Sequence, residues 1–201
     1  MLKFTVHQGL AVPLYRSNVD TDQIIPKQFL TRIERSGYGS FLFNDWRFTS
    51  DGSKNDDFVL NDSRYAGASI LISGPNFGCG SSREHAAWSL MDFGIRAVIA
   101  PSFGDIFYTN SLKNGLLPVR LDEQIVEHLV WRARNEPAFS MTINLIDRTV
   151  SASGEYISGF EIDEFRRHRL LNGLDDISLT LHHKDKIAAF ERRYPSQLAL
   201  S

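Results

Sequence analysis

The sequence predicts an α/β fold, and three observations along the chain support that prediction. An apolar, β-branched run at 68–72 enters a glycine-rich turn, and an amphipathic run at 84–93 leaves it. A second apolar run, 96–100, stops at Pro101 and completes a strand–helix–strand unit. The connection in such a unit is almost always right-handed, so we expect a right-handed crossover here.

The residues before this unit predict strands and loops. Residues 4–15 alternate loosely between polar and apolar, which predicts one or two early strands. Residues 18–26 hold two acids and close at Pro26, which favours a polar loop, and residues 29–33 predict a short helix. The stretch 37–48 is rich in aromatic residues, most of which we expect in the core or in an interface.

After the unit, helices and strands continue to alternate. A helix is expected from 102–105 to Asn114, followed by a strand at 116–119 whose Pro118 indicates a sheet edge or a strand end. The remaining expected elements are a helix from Asp122 to about Arg134, a strand pair at 141–146 and 156–160 around a turn at 151–154, a helix at 163–173, and a final helical stretch from Asp175. No domain boundary is evident, so we expect one domain over 1–201 with a C-terminal helical extension from about 161.

Composition and charge exclude several classes of protein. The chain has 201 residues, of which 42% are hydrophobic and 23% charged, as in an ordinary globular protein. The net charge of −2 offers no basic excess for nucleic acid. The first seven residues are too polar for a signal peptide, and no apolar run approaches the roughly 20 residues of a membrane span. We therefore expect no nucleic-acid partner, no membrane contact and a cytoplasmic setting.

Cys79 is the only cysteine, so no internal disulfide can form. An iron–sulfur cluster typically takes about four cysteine ligands, so any such cluster would have to come from another chain, and no metal site is expected here. We favour a small buried residue in a tight turn over a reactive thiol for Cys79.

The glycine-rich turn is the candidate functional site. Glycine permits positive φ and close approach of a ligand to the backbone, and the start of the following helix offers unpaired N–H groups that suit anions. Two hydroxyls, a guanidinium, a carboxylate and an imidazole follow one another there, in Ser81, Ser82, Arg83, Glu84 and His85. This pattern favours an active site that handles an anion.

A structural alternative exists for part of this pattern. Ser81 followed by Glu84 matches a capping box, and Gly78 and Gly80 could be ordinary turn residues. A cap does not need Ser82, Arg83 or His85, which favours function. Nucleotide-binding motifs fit badly, because the dinucleotide fingerprint needs glycine where Arg83 stands and the Gly-Lys-Ser/Thr of a phosphate loop is absent.

Several blocks in register over about residues 1–120 identify a family. They are NVDTDQIIPKQFL (18–30), FLFNDW (41–46), GCGSSREHA (78–86), SFGDIF (102–107) and NGLLP (114–118). With these blocks the chain resembles the small subunits of 3-isopropylmalate dehydratase, in the aconitase superfamily. The joint occurrence of the blocks is highly specific, whereas the C-terminal part fits in length and character and carries no motif of equal weight.

The resemblance implies a swivel-type three-layer β/β/α domain, like the mobile domain of aconitase. It implies a heterodimer with a large subunit that carries a [4Fe–4S] cluster, whose iron acts as Lewis acid on the leaving hydroxyl. The implied substrate is a small hydroxy diacid: 2-isopropylmalate and 3-isopropylmalate interconvert through isopropylmaleate in leucine biosynthesis. The single cysteine agrees with a cluster held elsewhere.

The resemblance also implies roles for individual residues. Ser81 is the proton-abstracting base, acting as an alkoxide, and Ser82 and Arg83 bind substrate carboxylates. Arg32 is a further substrate-binding candidate, although its spacing differs from that of the corresponding arginine in aconitase. Supporting positions are Asp20, Thr21, Asp22, Gly78, Gly80, Glu84 and His85. For Glu84 and His85 a cap and a packed helix residue remain equal alternatives.

Two other functions stay open on the sequence. One is the small subunit of a related hydro-lyase, of the homoaconitase or the citraconate-forming methylmalate type. The apolar residues after Pro26, namely Phe29, Leu30 and Ile33, favour a branched apolar substrate group over an extra carboxylate. The other is a non-enzymatic swivel module that carries or regulates a ligand, against which the intact Ser81-Ser82-Arg83 sequence argues.

Overall fold

The computed structural model describes residues 1–30, 36–181 and 183–193. The strands in these residues are β1 (Val6–Leu14), β2 (Ile70–Ser73), β3 (Ala97–Ala100), β4 (Leu117–Arg120), β5 (Ser140–Asn144), β6 (Thr149–Ala152) and β7 (Glu155–Gly159). The helices are α1 (Thr21–Ile24), α2 (Asn44–Arg47), α3 (Glu84–Phe93), α4 (Asp105–Asn114), α5 (Glu123–Asn135), α6 (Glu164–Asn172), α7 (Asp176–Leu181) and α8 (Lys184–Arg193).

All of these strands belong to one sheet, in the order β4-β3-β2-β1-β5-β6-β7. The half from β4 to β1 is parallel, and the half from β1 to β7 is antiparallel. Strand β1 belongs to both halves, because its residues 11–14 pair with β2 and its residues 6–10 pair with β5. The predicted α/β class is confirmed.

The burial of the strands explains why the two halves differ in sequence pattern. Every residue of β2 and β3 is buried, as expected for parallel strands covered on both faces. Strand β3 is apolar throughout, and β2 is apolar up to its last residue, Ser73. In β5 buried and half-buried residues alternate, as in an antiparallel strand with one face on the core. Pro118 lies in β4 at the edge of the sheet, as predicted from its missing N–H.

The predicted strand pair at 141–146 and 156–160 is wrong, because a third strand, β6, lies between them. Ser151 and Ala152 belong to this strand, and the following turn lies at Ser153 and Gly154. The turn that separates β5 from β6 spans residues 145–148 and contains no glycine. Arg148 has a positive φ, +58°, a conformation that glycine usually provides. The sequence therefore has no glycine to mark this turn.

Two expectations in the first part of the chain also change. The polar loop at 18–26 contains the helical turn α1, which a capping box between Asp20 and Gln23 stabilises. Where a helix was expected at 29–33, the structure has a 3-10 turn over Lys27–Phe29 that ends at Leu30. Residues 31–33 of the expected helix, with Arg32, lie outside the described part of the chain.

Helices and the N-terminus complete the packing. Helix α5 packs across β1, β2 and β3, and α3 packs against α4. The amide of Phe4, before β1, donates to the carbonyl of Leu170 in α6 at 2.9 Å, which attaches α6 to the N-terminal segment. Within the C-terminal part, Arg169 Nη2 of α6 donates to Asp176 of α7 at 2.6 Å. None of the described helices is long and apolar enough to cross a membrane.

Candidate active site

Three loops meet at the carboxyl edge of the parallel half-sheet, where open α/β sheets commonly bind ligands. They follow β1, β2 and β3. Asp20, after β1, forms a bridge with Cys79, and Phe77, after β2, forms a bridge with Phe103 after β3. We call residues 74–83, after β2, the serine turn.

Glycine is required at one position of the serine turn for steric reasons. Gly78 has φ +73°, and a Cβ there would lie 2.2 Å from Cγ of Phe107. Gly80 also has positive φ, +84°, but a Cβ there would meet its nearest neighbour, Cβ of Asp20, at 3.5 Å. Gly78 therefore lets the turn pack closely on α4, whereas Gly80 is needed only for its positive φ.

The two serines of the turn are exposed, and neither hydroxyl has a hydrogen-bond partner among the described residues. Helix α3 begins at Glu84, with Arg83 at its N-cap position and no side-chain cap. The capping-box alternative for Ser81 and Glu84 is therefore wrong, because the chain is still extended at Arg83. The first-turn N–H groups of α3 remain without a side-chain cap, and Ser81 does not serve the helix.

Arg83 joins the serine turn to α1. Its Nη1 donates to Oδ1 of Asp22 at 2.5 Å and to the carbonyl of Ile25 at 3.5 Å. The Arg83 side chain is 10% exposed and the Asp22 side chain 42%. Within the described chain no contact uses Nε or Nη2 of Arg83, so this edge of the guanidinium is open to another ligand.

Thr21 holds the backbone of the turn at two points. Its buried hydroxyl donates to the carbonyl of Ser81 at 2.9 Å, and its amide donates to the carbonyl of Cys79 at 3.0 Å. Asp20 is occupied in the capping box of α1, where it accepts from the amide of Gln23 at 2.8 Å. The structure thus brings Asp20, Thr21 and Asp22 against the serine turn.

His85 and Glu84 lie behind the turn, at the start of α3. The His85 ring packs against Tyr38 at 5.2 Å and Trp88 at 4.7 Å between ring centroids. Burial lowers the pKa of His85, Arg83 lowers it further, and Glu84 opposes the shift. His85 is accordingly a neutral packed ring near neutral pH.

Cys79 is half-buried, and its pKa is raised by burial and by the Asp20 carboxylate. The thiol form is therefore favoured over the reactive thiolate. In the described parts of the chain no group of three or more His, Cys, Asp or Glu residues is arranged to hold a metal ion.

A pair of asparagines that the sequence analysis did not single out connects the loop after β1 with the serine turn. Asn18 and Asn76 both have positive φ, +56° and +60°, and Nδ2 of Asn76 donates to Oδ1 of Asn18 at 2.8 Å. The amide of Asn76 donates to Oγ of Ser102 at 2.8 Å, which links the loop after β3. Asparagine tolerates the left-handed region better than most residues, which is the signal that could have marked both positions.

Comparison with known proteins places these features in context. The sequence matches the aconitase C-terminal domain over residues 1–124, and over residues 176–197 it matches the C-terminal domain of the 3-isopropylmalate dehydratase small subunit. It is 55% identical over 193 residues to the 3-isopropylmalate dehydratase small subunit of Brevibacillus brevis, covering 96% of this chain and 100% of the relative. It is 56% identical over 192 residues to the protein of the same name from Rhodopirellula baltica, covering 95% and 98%.

A solved structure has the same fold. The crystal structure of 3-isopropylmalate dehydratase from Methanocaldococcus jannaschii superposes with a TM-score of 0.65 over 92% of this chain and 99% of that chain, at 24% sequence identity. With the match to the aconitase C-terminal domain, this confirms the predicted swivel-type fold.

Proposed function

Because this chain belongs to the family of 3-isopropylmalate dehydratase small subunits, we propose that its serine turn supplies the base and the carboxylate contacts of that hydro-lyase reaction. The premise rests on 54–56% identity to curated relatives over nearly the whole chain. The reaction interconverts 2-isopropylmalate and 3-isopropylmalate by loss and return of water, through isopropylmaleate, in leucine biosynthesis.

One observation carries the proposal for the site. Two motif blocks that are 60 positions apart meet through the Thr21 hydroxyl and the Ser81 carbonyl, and through the ion pair of Asp22 with Arg83. The result is an exposed pair of hydroxyls beside a held guanidinium. A dianionic substrate needs such a combination of a base and fixed positive charge.

Ser81 is the proposed base. Its exposed hydroxyl has no competing partner among the described residues, and its backbone is fixed by Thr21. A serine hydroxyl is a very weak acid, so its anion needs support. The uncapped first turn of α3 and the Arg83 guanidinium are the local features that favour the alkoxide. The proton on the carbon next to the hydroxyl-bearing carbon then transfers to Oγ of Ser81.

Arg83 and Ser82 are the proposed carboxylate contacts. With Nη1 held by Asp22, the edge formed by Nε and Nη2 can donate parallel hydrogen bonds to both oxygens of a substrate carboxylate. Ser82 lies next in the chain and offers one further hydroxyl donor. Arg32 stays a proposed contact on the strength of the resemblance, because it lies outside the described residues.

The remaining chemistry is assigned to a partner. One cysteine cannot supply the roughly four thiolates of a [4Fe–4S] cluster, so the residues of this chain do not fit that group. We propose that the cluster is held by a large subunit, which also covers the exposed serines in a heterodimer. We further propose that residues 1–201 form one swivel domain with a helical extension from about 161, and that the enzyme works in the cytoplasm, which fits a biosynthetic enzyme with one free thiol.

Co-expression with a large subunit tests the function. The anaerobically purified complex should dehydrate 2-isopropylmalate with a higher kcat/KM than it shows for homoaconitase or methylmalate substrates. The small subunit alone should be colourless, free of iron and sulfide, and inactive. Turnover by the isolated chain, or a complex that prefers one of the other substrates, would overturn the proposal.

A further inference from the structure

Helix α1 contacts the segment from Ser81 to Arg83 at both of its ends. The Thr21 hydroxyl donates to the carbonyl of Ser81 at 2.9 Å, and the carboxylate of Asp22 accepts from Nη1 of Arg83 at 2.5 Å. The same Nη1 donates to the carbonyl of Ile25, which follows the last residue of α1, at 3.5 Å. One four-residue helix therefore holds both the proposed base and the proposed carboxylate contact.

The segment itself has no regular structure that could fix the spacing between these two groups. Residues 81–83 belong to no helix or strand, and Ser81 and Ser82 are exposed. Arg83 is still extended, with φ −136° and ψ 112°, and α3 begins only at the next residue. The distance from the Ser81 hydroxyl to the guanidinium of Arg83 therefore depends on contacts outside the segment, such as the two with α1.

Helix α1 is suited to set this spacing, because it is itself held at both ends. At its start, Asp20 and Gln23 form a capping box with hydrogen bonds of 2.8 and 3.0 Å. At its end, Ile24 is buried, and its carbonyl accepts from the amide of Phe43 at 2.9 Å. Adjacent residues of a helix point about 100° apart, so two consecutive side chains of α1 can reach two different points of the serine turn.

We propose that α1 is a template that sets the position of Ser81 relative to Arg83, with Thr21 and Asp22 as paired positioning residues. The inference rests on the proposed function, because it concerns the spacing between its base and its carboxylate contact. Proton abstraction needs Oγ of Ser81 at the substrate carbon while the carboxylate stays on Arg83, and a misplacement of about 1 Å can cost about 10²-fold in rate. Thr21 is 1% exposed, so its hydroxyl is shielded from competing water.

A purely structural role for Thr21 predicts a different result. A buried hydroxyl that donates to a carbonyl contributes to stability wherever it lies in a fold, and its loss need not affect catalysis. Tyr65 offers a matched case, because its buried hydroxyl donates to the carbonyl of Ala133 in α5 at 3.1 Å, outside α1 and the serine turn. Comparing the two positions separates the loss of a buried hydrogen bond from the loss of spacing.

The test uses the enzyme assembled from both subunits. Thr21→Val and Thr21→Ala remove the hydroxyl, Thr21→Ser keeps it and removes a methyl group, and Asp22→Asn weakens the contact with Arg83. The double variant Thr21→Val/Asp22→Asn completes a cycle that measures coupling between the two residues. Tyr65→Phe is the control for the loss of a buried hydroxyl. The measurements are kcat, KM, solvent deuterium exchange into the substrate at saturation, and the melting temperature of each variant.

Thr21→Val and Thr21→Ala should lower kcat and exchange by at least roughly tenfold, with KM near wild type because Arg83 keeps its partner Asp22. Thr21→Ser should retain most of kcat although its melting temperature falls, and Tyr65→Phe should lose stability but no activity. The loss of kcat/KM in the double variant should be at least roughly fivefold smaller than the product of the two single losses. The reason is that either substitution alone already releases the spacing.

Three results would overturn the template. They are an unchanged kcat in the variants that lack the Thr21 hydroxyl, an equal loss of kcat in Thr21→Ser and Thr21→Val, and single losses that multiply in the double variant. If the wild-type complex does not turn over 2-isopropylmalate, the proposed function itself fails, and the cycle is then not the cause.

Discussion

The guanidinium of Arg83 donates a 2.5 Å hydrogen bond to the carboxylate of Asp22, 61 positions earlier in the chain. Arg83 precedes the first residue of α3, and Asp22 lies in α1, so the pair sets the position of one helix start against the other. The pairing uses one terminal nitrogen of the guanidinium, and no other described residue contacts the Nε–Nη2 edge. Geometry, and not charge alone, is therefore what Arg83 offers to a substrate.

Arg83→Lys should lower kcat/KM of the assembled enzyme by roughly 10²-fold or more, although the charge is kept. A lysine can still pair with Asp22 but cannot present two parallel donors to a carboxylate. Asp22→Asn, the matched variant, keeps Arg83 and should mainly raise KM, because a neutral amide oxygen holds the guanidinium less firmly than a carboxylate does. Steady-state kinetics decide the matter, and a kcat/KM of Arg83→Lys close to wild type would reduce Arg83 to a structural ion pair.

Ser81→Ala should lower turnover by about 10²–10⁴-fold, as expected when a general base is removed. Its stability should stay within about 0.5 kcal/mol of wild type, because Ser81 is exposed and caps no helix. The measurement is solvent deuterium exchange into the substrate by the assembled variant, with its melting temperature. Ser82→Ala is the control and should retain exchange at saturating substrate. Intact exchange in Ser81→Ala would rule out its role as the base.

Gly78→Ala should destabilise the chain more than Gly80→Ala, although both glycines have positive φ. The left-handed conformation costs about 1–2 kcal/mol for alanine at either position. At Gly78 the added Cβ also meets the Phe107 ring at 2.2 Å, an overpacking that typically costs about 1–3 kcal/mol more. Urea unfolding of both variants measures the difference, and equal free energies of unfolding would show that α4 yields to the new methyl group.

His7 should make the chain less stable below neutral pH. Burial, and to a smaller extent Arg96, lowers its pKa, while the unfolded value is near 6.5. Below about 6.5 the unfolded chain binds more protons, so the free energy of unfolding falls as pH falls through the folded pKa. His7→Gln can keep the 2.9 Å contact with Ser69 and should reduce this slope, by at most about 1.4 kcal/mol per pH unit. Urea unfolding between pH 7.5 and 5 tests it. His85, whose pKa is also lowered, accounts for a residual slope, and an unchanged slope would contradict the role of His7.

Much of the parallel half-sheet could be predicted, because its signals are local. Each signal lies within a few residues of the element that it predicts. These signals are the apolar runs in β2 and β3, the proline in β4 and the glycine after α3. Strand β6 escaped prediction because Arg148 takes a conformation that its residue type rarely adopts. That conformation is imposed by pairing with β5 and β7, which no local pattern encodes.

The sequence by itself determined the order of most elements, because hydrophobic periodicity is a local property of the chain. It also determined the motif blocks and showed too few cysteines for a cluster, because both follow from residue types alone. Only the tertiary structure decided what the site residues touch. It made Asp20 a helix cap and left the Ser81 hydroxyl without a hydrogen-bond partner among the described residues. It paired Arg83 with Asp22, and it placed Arg120 and Arg166 against one tyrosine ring. The physical reason is that a polar side chain can form hydrogen bonds with many different partners. The packing of the sheet decides which of these partners lie within reach.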